Sequence, residues 1–370
     1  MSGSERISII APILARLPGG GARTYYQHAN ALAEKGYQVT VVHGLDWGPG
    51  LRGRVEGLLR GKVRDLKAGN LRRKVSWMSI DPRVKMAWVR GLDPAVRLPA
   101  ADLRIATYWE TTEFLVNRDD DGAANMQLIQ AYETWAGPKE RVDATWLLPL
   151  HTVVVSESLY QRGLSMGVPA ERLHLAPNGI DQETFRLRSP IEGREATVSF
   201  LVHEMPVKGL REAIATCELV HAAAPQVKFR AFGGAARPAI LPSFIEYLQK
   251  PLGVTLAEQI YDKCSIFLCA SQSEGFGFPS LEAMSCGAAL VSTRNGGVDD
   301  FARDEESALL CDVGDVEGLA AAVERLVGDD MLRTRLAEAG RRIAQGFTWD
   351  ASNDAFEVAV RTALTSRPQS

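Results

Sequence analysis

Two series of short apolar segments, each alternating with helical segments, run along this chain and constrain its fold more than any other feature. The first series begins with an apolar, β-branched run at residues 6–13, a glycine cluster at 18–21 and a helical pattern over 22–35. Gly36 ends that pattern, and residues 37–43 predict a second buried strand. Strand, glycine loop, helix and strand form a βαβ unit, which requires parallel strands.

The same alternation continues to residue 364 and predicts an α/β fold built from two Rossmann-like domains. A polar segment at 187–195 separates the two series, and 370 residues are enough for two domains. We therefore predict an N-terminal domain over 1–187, a C-terminal domain over 188–347 and a final helical segment over 348–370. Residues 45–100 have no clear period and are interpreted as loops and short helices. The other predicted strands are 103–107, 125–130, 152–155, 196–203, 228–233, 265–270 and 288–293, and the other predicted helices are 208–224, 255–262, 279–286, 316–326 and 331–344.

Charge and cysteine content exclude several classes of function. The net charge of -3 provides no broad basic surface, which argues against a nucleic acid partner. The five cysteines form no CxxC pair, so they predict reduced thiols rather than a zinc site or a disulfide framework. The N-terminus has no signal-peptide pattern and no run is long enough to span a bilayer, which predicts a cytoplasmic protein. Contact with a membrane surface stays open.

The segment 273–284, SEGFGFPSLEAM, carries the most chemical information. It follows a predicted strand, and Pro279 suits the first turn of a helix, so the backbone N–H groups just after it are predicted to attract phosphate. Gly275 and Gly277 let a ligand approach the backbone. Glu274 and Glu282 are eight residues apart, so both are predicted to face one bound molecule.

Glu274 and Glu282, with the residues between them, resemble the E-x7-E signature of retaining GT-B glycosyltransferases. The resemblance implies two Rossmann-like domains whose parallel sheets face each other across a cleft, and a nucleotide-diphosphate sugar as donor. It also implies that Glu274 lies beside the donor sugar and that Glu282 binds the ribose hydroxyls. The donor-binding residues that it implies in this segment are Glu274, Gly275, Phe276, Gly277, Phe278, Pro279 and Glu282.

Three further segments match the same family. Lys208 stands where the family has a lysine that neutralises the donor pyrophosphate, whereas His203 stands where an arginine is expected. A neutral imidazole donates one hydrogen bond, while arginine always adds a charge and several donors. The glycine loop with Gly20 and Gly21, and the pair Gly296 and Gly297, resemble loops that approach the donor.

Gln130 and Glu133 follow a predicted strand of the first domain, where relatives place a residue that contacts the transferred sugar or the acceptor. We predict catalytic roles for Glu274, Lys208, His203, Gln130 and Glu133, although a polar strand end explains the last two equally well. Residues 127–143 also resemble bacterial rhamnosyltransferases. The run Asp119-Asp120-Asp121 could hold Mg²⁺ or Mn²⁺ in another glycosyltransferase architecture, but its polar surroundings favour a solvated loop, so no metal or other cofactor is predicted.

The resemblance implies a hexosyltransferase, and no carboxylate is identifiable as a nucleophile, so a covalent intermediate is not predicted. Lys208, His203 and the helix near Pro279 would stabilise the leaving diphosphate. The resemblance implies retention of configuration, with a glycan, a lipid-linked glycan or a small metabolite as acceptor and cell-envelope polysaccharide synthesis as the setting. Two alternatives stay open: a sugar-nucleotide epimerase on the same fold, and a catalytically silent homologue that only binds nucleotide sugar.

Overall fold

The computed structural model describes residues 5–12, 19–44, 75–89, 91, 95–118 and 122–366. Residues 45–74 of the segment interpreted as loops and short helices, the beginning of the glycine loop and the run Asp119-Asp120-Asp121 lie outside the described residues. The chain forms two compact units. Unit 1 contains the described residues up to Val155, residues Tyr160–Ala176 and those from Asn353 onward, and unit 2 contains Ser156–Leu159 and Pro177–Ser352.

Unit 1 is built on a parallel sheet with the strand order β3-β2-β1-β4-β5-β6-β7 in the part of the chain that the structure describes. Buried apolar residues, including Ile10, Val42 and Phe114, form a core against this sheet. The sequence did not predict β3 and β7, because β3 is an edge strand with partly exposed residues and β7 has only three. The strands are β1 Arg6–Ala11, β2 Gln38–Gly44, β3 Lys85–Val89, β4 Leu103–Ala106, β5 Ala124–Ile129, β6 His151–Val154 and β7 Leu173–Leu175.

In the first half of the chain, the residues that the structure describes form four α-helices, of which only the first is long. The predicted helix over 22–35 is confirmed and begins two residues earlier than expected. The other three were not predicted, because eight to ten residues contain too few turns to establish a helical period. These helices are α1 Gly20–Glu34, α2 Trp109–Val116, α3 Lys139–Trp146 and α4 Glu157–Met166.

His28 of α1 holds the C-terminal helix to unit 1. This last helix, Trp349–Thr365, belongs to unit 1 from Asn353 onward. The His28 ring is 0% exposed, stacks on Phe356 with 3.9 Å between the ring centres, and its Nδ1 lies 2.8 Å from Oδ1 of Asn353. Burial lowers the pKa of His28 from 6.5 to about 4, because the protonated ring would lose its hydration.

We expect His28 to make the protein sensitive to acid. The pKa in the folded state lies below the unfolded value, so the unfolded chain binds more protons between pH 6.5 and 4. The neutral ring therefore makes its full contribution to the free energy of unfolding above pH 6.5. This contribution, about 3 kcal/mol, is lost as the pH falls toward 4. Urea unfolding at pH 7, 6, 5 and 4 should show this loss, and His28→Phe should reduce it. An identical pH dependence in both proteins would contradict the assignment.

Unit 2 is built on a second parallel sheet, with the strand order β10-β9-β8-β11-β12-β13 in its described part. Together the two parallel sheets and their helices confirm the predicted α/β fold class. Two short strands, β10 and β13, were not predicted; each lies at an edge of the sheet. The strands are β8 Thr197–Val202, β9 Lys228–Gly233, β10 Ile245–Gln249, β11 Ile266–Cys269, β12 Ala289–Thr293 and β13 Ala308–Cys311.

The helices of unit 2 follow the predicted order. The predicted helix over 208–224 differs at its start: residues Pro206–Lys208 form a 3-10 turn, and the α-helix begins after Gly209. None of the described helices is long and apolar enough to cross a bilayer. The α-helices are α5 Leu210–Ala223, α6 Val254–Gln259, α7 Phe278–Ser285, α8 Val316–Gly328, α9 Asp330–Ala344 and α10 Trp349–Thr365, whose first four residues belong to this unit.

The strand order creates a crevice at the carboxyl ends of two central strands of the unit 2 sheet. Strands β8 and β11 are neighbours, but the chain leaves β8 toward β9 on one side and leaves β11 toward β12 on the other. At such a switch point the connections diverge beyond the carboxyl ends of the strands, where open α/β sheets bind ligands. His203 directly follows β8, and Ser271 and Glu274 follow β11.

Candidate functional site

Lys208 and Glu274 meet at the switch point of the unit 2 sheet. The Nζ atom of Lys208 lies 2.6 Å from Oε2 of Glu274, and the hydroxyl of Ser271 donates to Oε1 of Glu274 at 2.8 Å. The side chains of Lys208 and Glu274 are 23% and 11% exposed, so the ion pair is partly covered but accessible to solvent. A small pocket reaches these three residues, Gly277 and Pro279. The structure therefore brings together a cation, a carboxylate and a hydroxyl beside α7.

Gly209 explains why Lys208 lies next to Glu274. Its φ angle of 64° belongs to the left-handed region, and a Cβ atom at this position would overlap the backbone oxygen of Ala270. The N–H of Gln272 donates to the oxygen of Val207 at 2.8 Å, which joins the same two loops. The loops after β8 and β11 thus touch through their backbones, and this contact sets the position of Lys208.

A third loop, after β12, contacts the backbone and Cβ of Glu274. The N–H of Glu274 donates to the oxygen of Asn295 at 2.9 Å. A Cβ atom at Gly297 would lie 2.6 Å from Cβ of Glu274, so this contact also requires glycine. Gly296, Gly297, Glu274 and Lys208 were predicted as site residues from separate segments, and the structure brings these segments together.

Glu282 lies deeper than Glu274. Its side chain is on α7 and 2% exposed, and its Oε2 accepts a hydrogen bond from the hydroxyl of Tyr261 at 3.0 Å. Tyr261 is itself fully buried. Glu282, which is predicted to bind the ribose hydroxyls, is thus held by a partner in the protein interior, whereas Glu274 lies in the crevice.

The first turn of α7 corrects one part of the phosphate prediction. Pro279 is the second helical residue, and the N–H groups of Ser280 and Leu281 both donate to the oxygen of Gly277, at 3.1 and 3.2 Å. The prediction that the N–H groups just after Pro279 point toward a ligand is therefore wrong. The helix dipole still places partial positive charge at this end of α7.

Phe276 is buried and packs edge-on against Phe278 and Phe301.

His203 is half-buried, and its ring is oriented by the backbone. The N–H of Met205 donates to Nδ1 of His203 at 3.1 Å. Burial, followed by the positive charge of Lys208, lowers the pKa of His203 below its ordinary value. The ring is therefore neutral at pH 7, in contrast to the arginine that the family resemblance would place there.

Gln130 and Glu133 belong to unit 1, where each has a defined environment. A Cβ atom at Gly21 would lie 3.4 Å from the amide group of Gln130, so these two predicted residues are neighbours, with Gly20 beside them as the first residue of α1. Oε2 of Glu133 accepts a hydrogen bond from the N–H of Trp109 at 2.9 Å. Burial raises the pKa of Glu133 to about 8, so its carboxyl group is largely protonated at pH 7.

Sequence reasoning missed four residues that shape these sites: Ser271, Asn295, Tyr261 and Trp109. Ser271 and Asn295 stand just after predicted strands of a parallel sheet, a position that signals a binding edge. Tyr261 and Trp109 carry no comparable signal, because only folding brings them to Glu282 and Glu133. Among the described residues, no group of three or more His, Cys, Asp or Glu could hold a metal ion.

A family model described as "Glycosyl transferases group 1" matches residues 181–343, which include the three loops and α7. Residues 181–343 belong to this family. Among curated proteins, this chain is 44% identical over 92 residues to a lipopolysaccharide core biosynthesis glycosyltransferase, LpsE, from Rhizobium meliloti. It is 28% identical over 228 residues to a D-inositol 3-phosphate glycosyltransferase from Acidothermus cellulolyticus. These matches cover 25% and 54% of this chain but only 27% and 50% of the relatives' own lengths.

Several solved structures are similar to this chain in fold over nearly its whole length, beyond the residues that the family model matches. Sucrose-phosphate synthase from Thermosynechococcus elongatus has a TM-score of 0.74 at 18% identity, over 98% of this chain and 100% of that one. TarM from S. aureus has a TM-score of 0.71 at 12% identity, over 96% and 99%. HepE from Anabaena, solved with UDP-glucose, has a TM-score of 0.69 at 15% identity, over 97% and 100%. The fold is thus of the GT-B type.

Proposed function

We propose that this protein is a glycosyltransferase that moves a hexose from a nucleotide-diphosphate sugar to an acceptor hydroxyl, with retention of configuration. The observation that carries the proposal is the Lys208–Glu274–Ser271 cluster at the switch point of a domain of the group 1 family. A lysine beside a positively polarised helix start suits a diphosphate, and a carboxylate beside it suits sugar hydroxyls.

The proposed mechanism assigns a separate task to each charged group. Lys208 leaves its ion pair with Glu274 and pairs with the diphosphate instead. It then neutralises the negative charge that develops on the diphosphate as its bond to the sugar breaks. The carboxylate of Glu274 then becomes available for the donor sugar. Glu282, supported by Tyr261, accepts hydrogen bonds from the ribose hydroxyls. The acceptor hydroxyl attacks from the side of the leaving phosphate, and the phosphate takes its proton.

The similar proteins guide the choice of substrates. TarM and HepE were solved with UDP and with UDP-glucose respectively, and LpsE is named for lipopolysaccharide core biosynthesis. UDP-sugars are therefore the first donors to test, and a cell-envelope glycan is the proposed acceptor. We propose that no metal is required, because Lys208 and the helix start supply the positive charge. The cytoplasmic location and the rhamnosyltransferase subgroup stay predictions.

A binding panel tests the proposed donor site. UDP, TDP, GDP and ADP, each alone and as the glucose conjugate, are compared by thermal shift and calorimetry. One nucleotide series should stabilise the native protein, because a ligand that binds only the folded state raises its melting temperature. Glu282→Gln keeps the shape of the side chain but removes its charge, and should weaken that binding by about tenfold or more.

The control variant is Glu324→Gln, which changes an exposed glutamate of α8 in the same unit and should bind as the wild type does. Absence of any stabilisation at millimolar nucleotide would contradict the donor site. Binding without transfer or hydrolysis would favour the silent homologue, and conversion of the bound nucleotide sugar without an acceptor would favour the epimerase.

A further inference from the structure

The hydrogen bond between Met205 and His203 determines which nitrogen of the ring carries the proton. Nδ1 accepts the N–H of Met205 at 3.1 Å, and a ring nitrogen that accepts a hydrogen bond is unprotonated. The neutral ring therefore carries its proton on Nε2. No hydrogen bond joins Nε2 to any of the described residues, so this N–H is available to a ligand.

Three charged groups act on the His203 ring. Lys208 opposes protonation of the ring, whereas Glu274 and Glu204 favour it. Burial also opposes protonation and has the largest effect, so the balance lowers the pKa of His203. Bound diphosphate would add negative charge near the ring, and charge alone would then favour protonation.

Geometry opposes that protonation. A proton on Nδ1 would face the N–H of Met205, so two donors would meet and their hydrogen bond would break. Met205 directly precedes the 3-10 turn Pro206–Lys208, so the two donors could separate only if the turn that carries Lys208 moved. Since the turn is also fixed by Gly209 against Ala270, it has little room to move.

We propose that His203 binds the donor diphosphate as a neutral hydrogen-bond donor through Nε2–H, while Nδ1 holds the turn that positions Lys208. This inference rests on the proposed function, because it assumes that the crevice binds a nucleotide-diphosphate sugar. It distinguishes the site from one with an arginine at this position, which always adds a positive charge and accepts no hydrogen bond. Binding of the donor should therefore take up no proton.

Nitrogen NMR of histidine tests the tautomer directly. The protein is labelled with ¹⁵N-histidine, and the His203 signals are identified as those missing from His203→Asn. At pH 7.5 we expect Nδ1 unprotonated and Nε2 protonated, both without ligand and with saturating nucleotide sugar from the panel of UDP-, TDP-, GDP- and ADP-glucose. A ring protonated on both nitrogens in the complex would overturn the proposal.

Calorimetry tests the proton balance and the role of Nε2–H. The nucleotide sugars have no group that titrates near pH 7.5, so equal binding enthalpies in two buffers of different ionisation enthalpy mean that no proton is taken up. His203→Asn can keep an acceptor for Met205 but lacks the distal donor, so it should melt as the wild type does and bind about tenfold more weakly.

Equal affinity of wild type and His203→Asn, or uptake of most of one proton, would overturn the proposal. If none of the four nucleotide sugars binds, the proposed function fails instead. The tautomer of the unliganded protein still tests the Nδ1 assignment in that case, because this NMR measurement requires no ligand.

Discussion

Replacing Lys208 by alanine is expected to lower kcat for sugar transfer by about 100- to 1,000-fold, the range found when one group that stabilises transition-state charge is removed. Lys208 supplies a full positive charge at the switch point. Without it, its partner Glu274 would be left as a second negative charge that repels the leaving diphosphate. Release of nucleoside diphosphate at saturating nucleotide sugar measures the rate. Lys208→Arg should recover part of the loss, because it keeps the charge but not the compact geometry.

The matched control for this experiment is Lys228→Ala. Lys228 also lies in unit 2 and also forms an ion pair, with Glu195, but these side chains are 57% and 73% exposed. An exposed ion pair contributes little, so Lys228→Ala should retain the wild-type rate and melting temperature. A rate for Lys208→Ala within threefold of the wild type would show that Lys208 does not neutralise the leaving group.

The second large effect is expected for Gly209→Ala, which should destabilise unit 2 by about 3 kcal/mol or more. The new Cβ would overlap the backbone oxygen of Ala270, which cannot rotate away as a side chain would. The left-handed φ angle of 64° adds about 1 kcal/mol for any residue with a Cβ. Chemical unfolding measures the loss, and nucleotide binding should weaken with it because the turn carrying Lys208 is displaced.

Gly193→Ala separates the two causes. Gly193 has a similar φ angle of 70°, but nothing lies within 4 Å of its Cβ position. It should therefore show only the cost of the backbone conformation, about 1 kcal/mol. Equal destabilisation by the two variants would show that contact with Ala270 has no effect of its own.

Local patterns in the sequence predicted much of the fold. Strand β9 has the bounds predicted for it, 228–233, because a short apolar run between turn residues defines a buried strand by itself. The helix α7 differs by one residue at each end from the predicted 279–286. The short helices α2 to α4 and the edge strands β3, β10 and β13 were missed, since their length or partial exposure leaves no clear period.

The site residues likewise include some features that the sequence indicated and others that it could not indicate. Glu274 was indicated by its position after a strand of a parallel sheet, where ligands bind, whereas Lys208, Gly296 and Gly297 were indicated by the family resemblance. The sequence could not indicate the direction of the N–H groups in the first turn of α7, which turn inward to Gly277. Nor could it indicate that Glu282 lies deeper than Glu274, because the depth of each side chain depends on the folded structure.

By itself the sequence determined the alternation of strands and helices, the parallel sheets that follow from it, and the positions of the loops at their carboxyl ends. These properties depend on residues that are close together in the chain. Only the tertiary structure decided which groups meet: Lys208 with Glu274, 66 positions later, and Tyr261 with Glu282, 21 positions later. It also decided that His203 is neutral, because burial and the charge of Lys208 set its pKa only after the chain has folded.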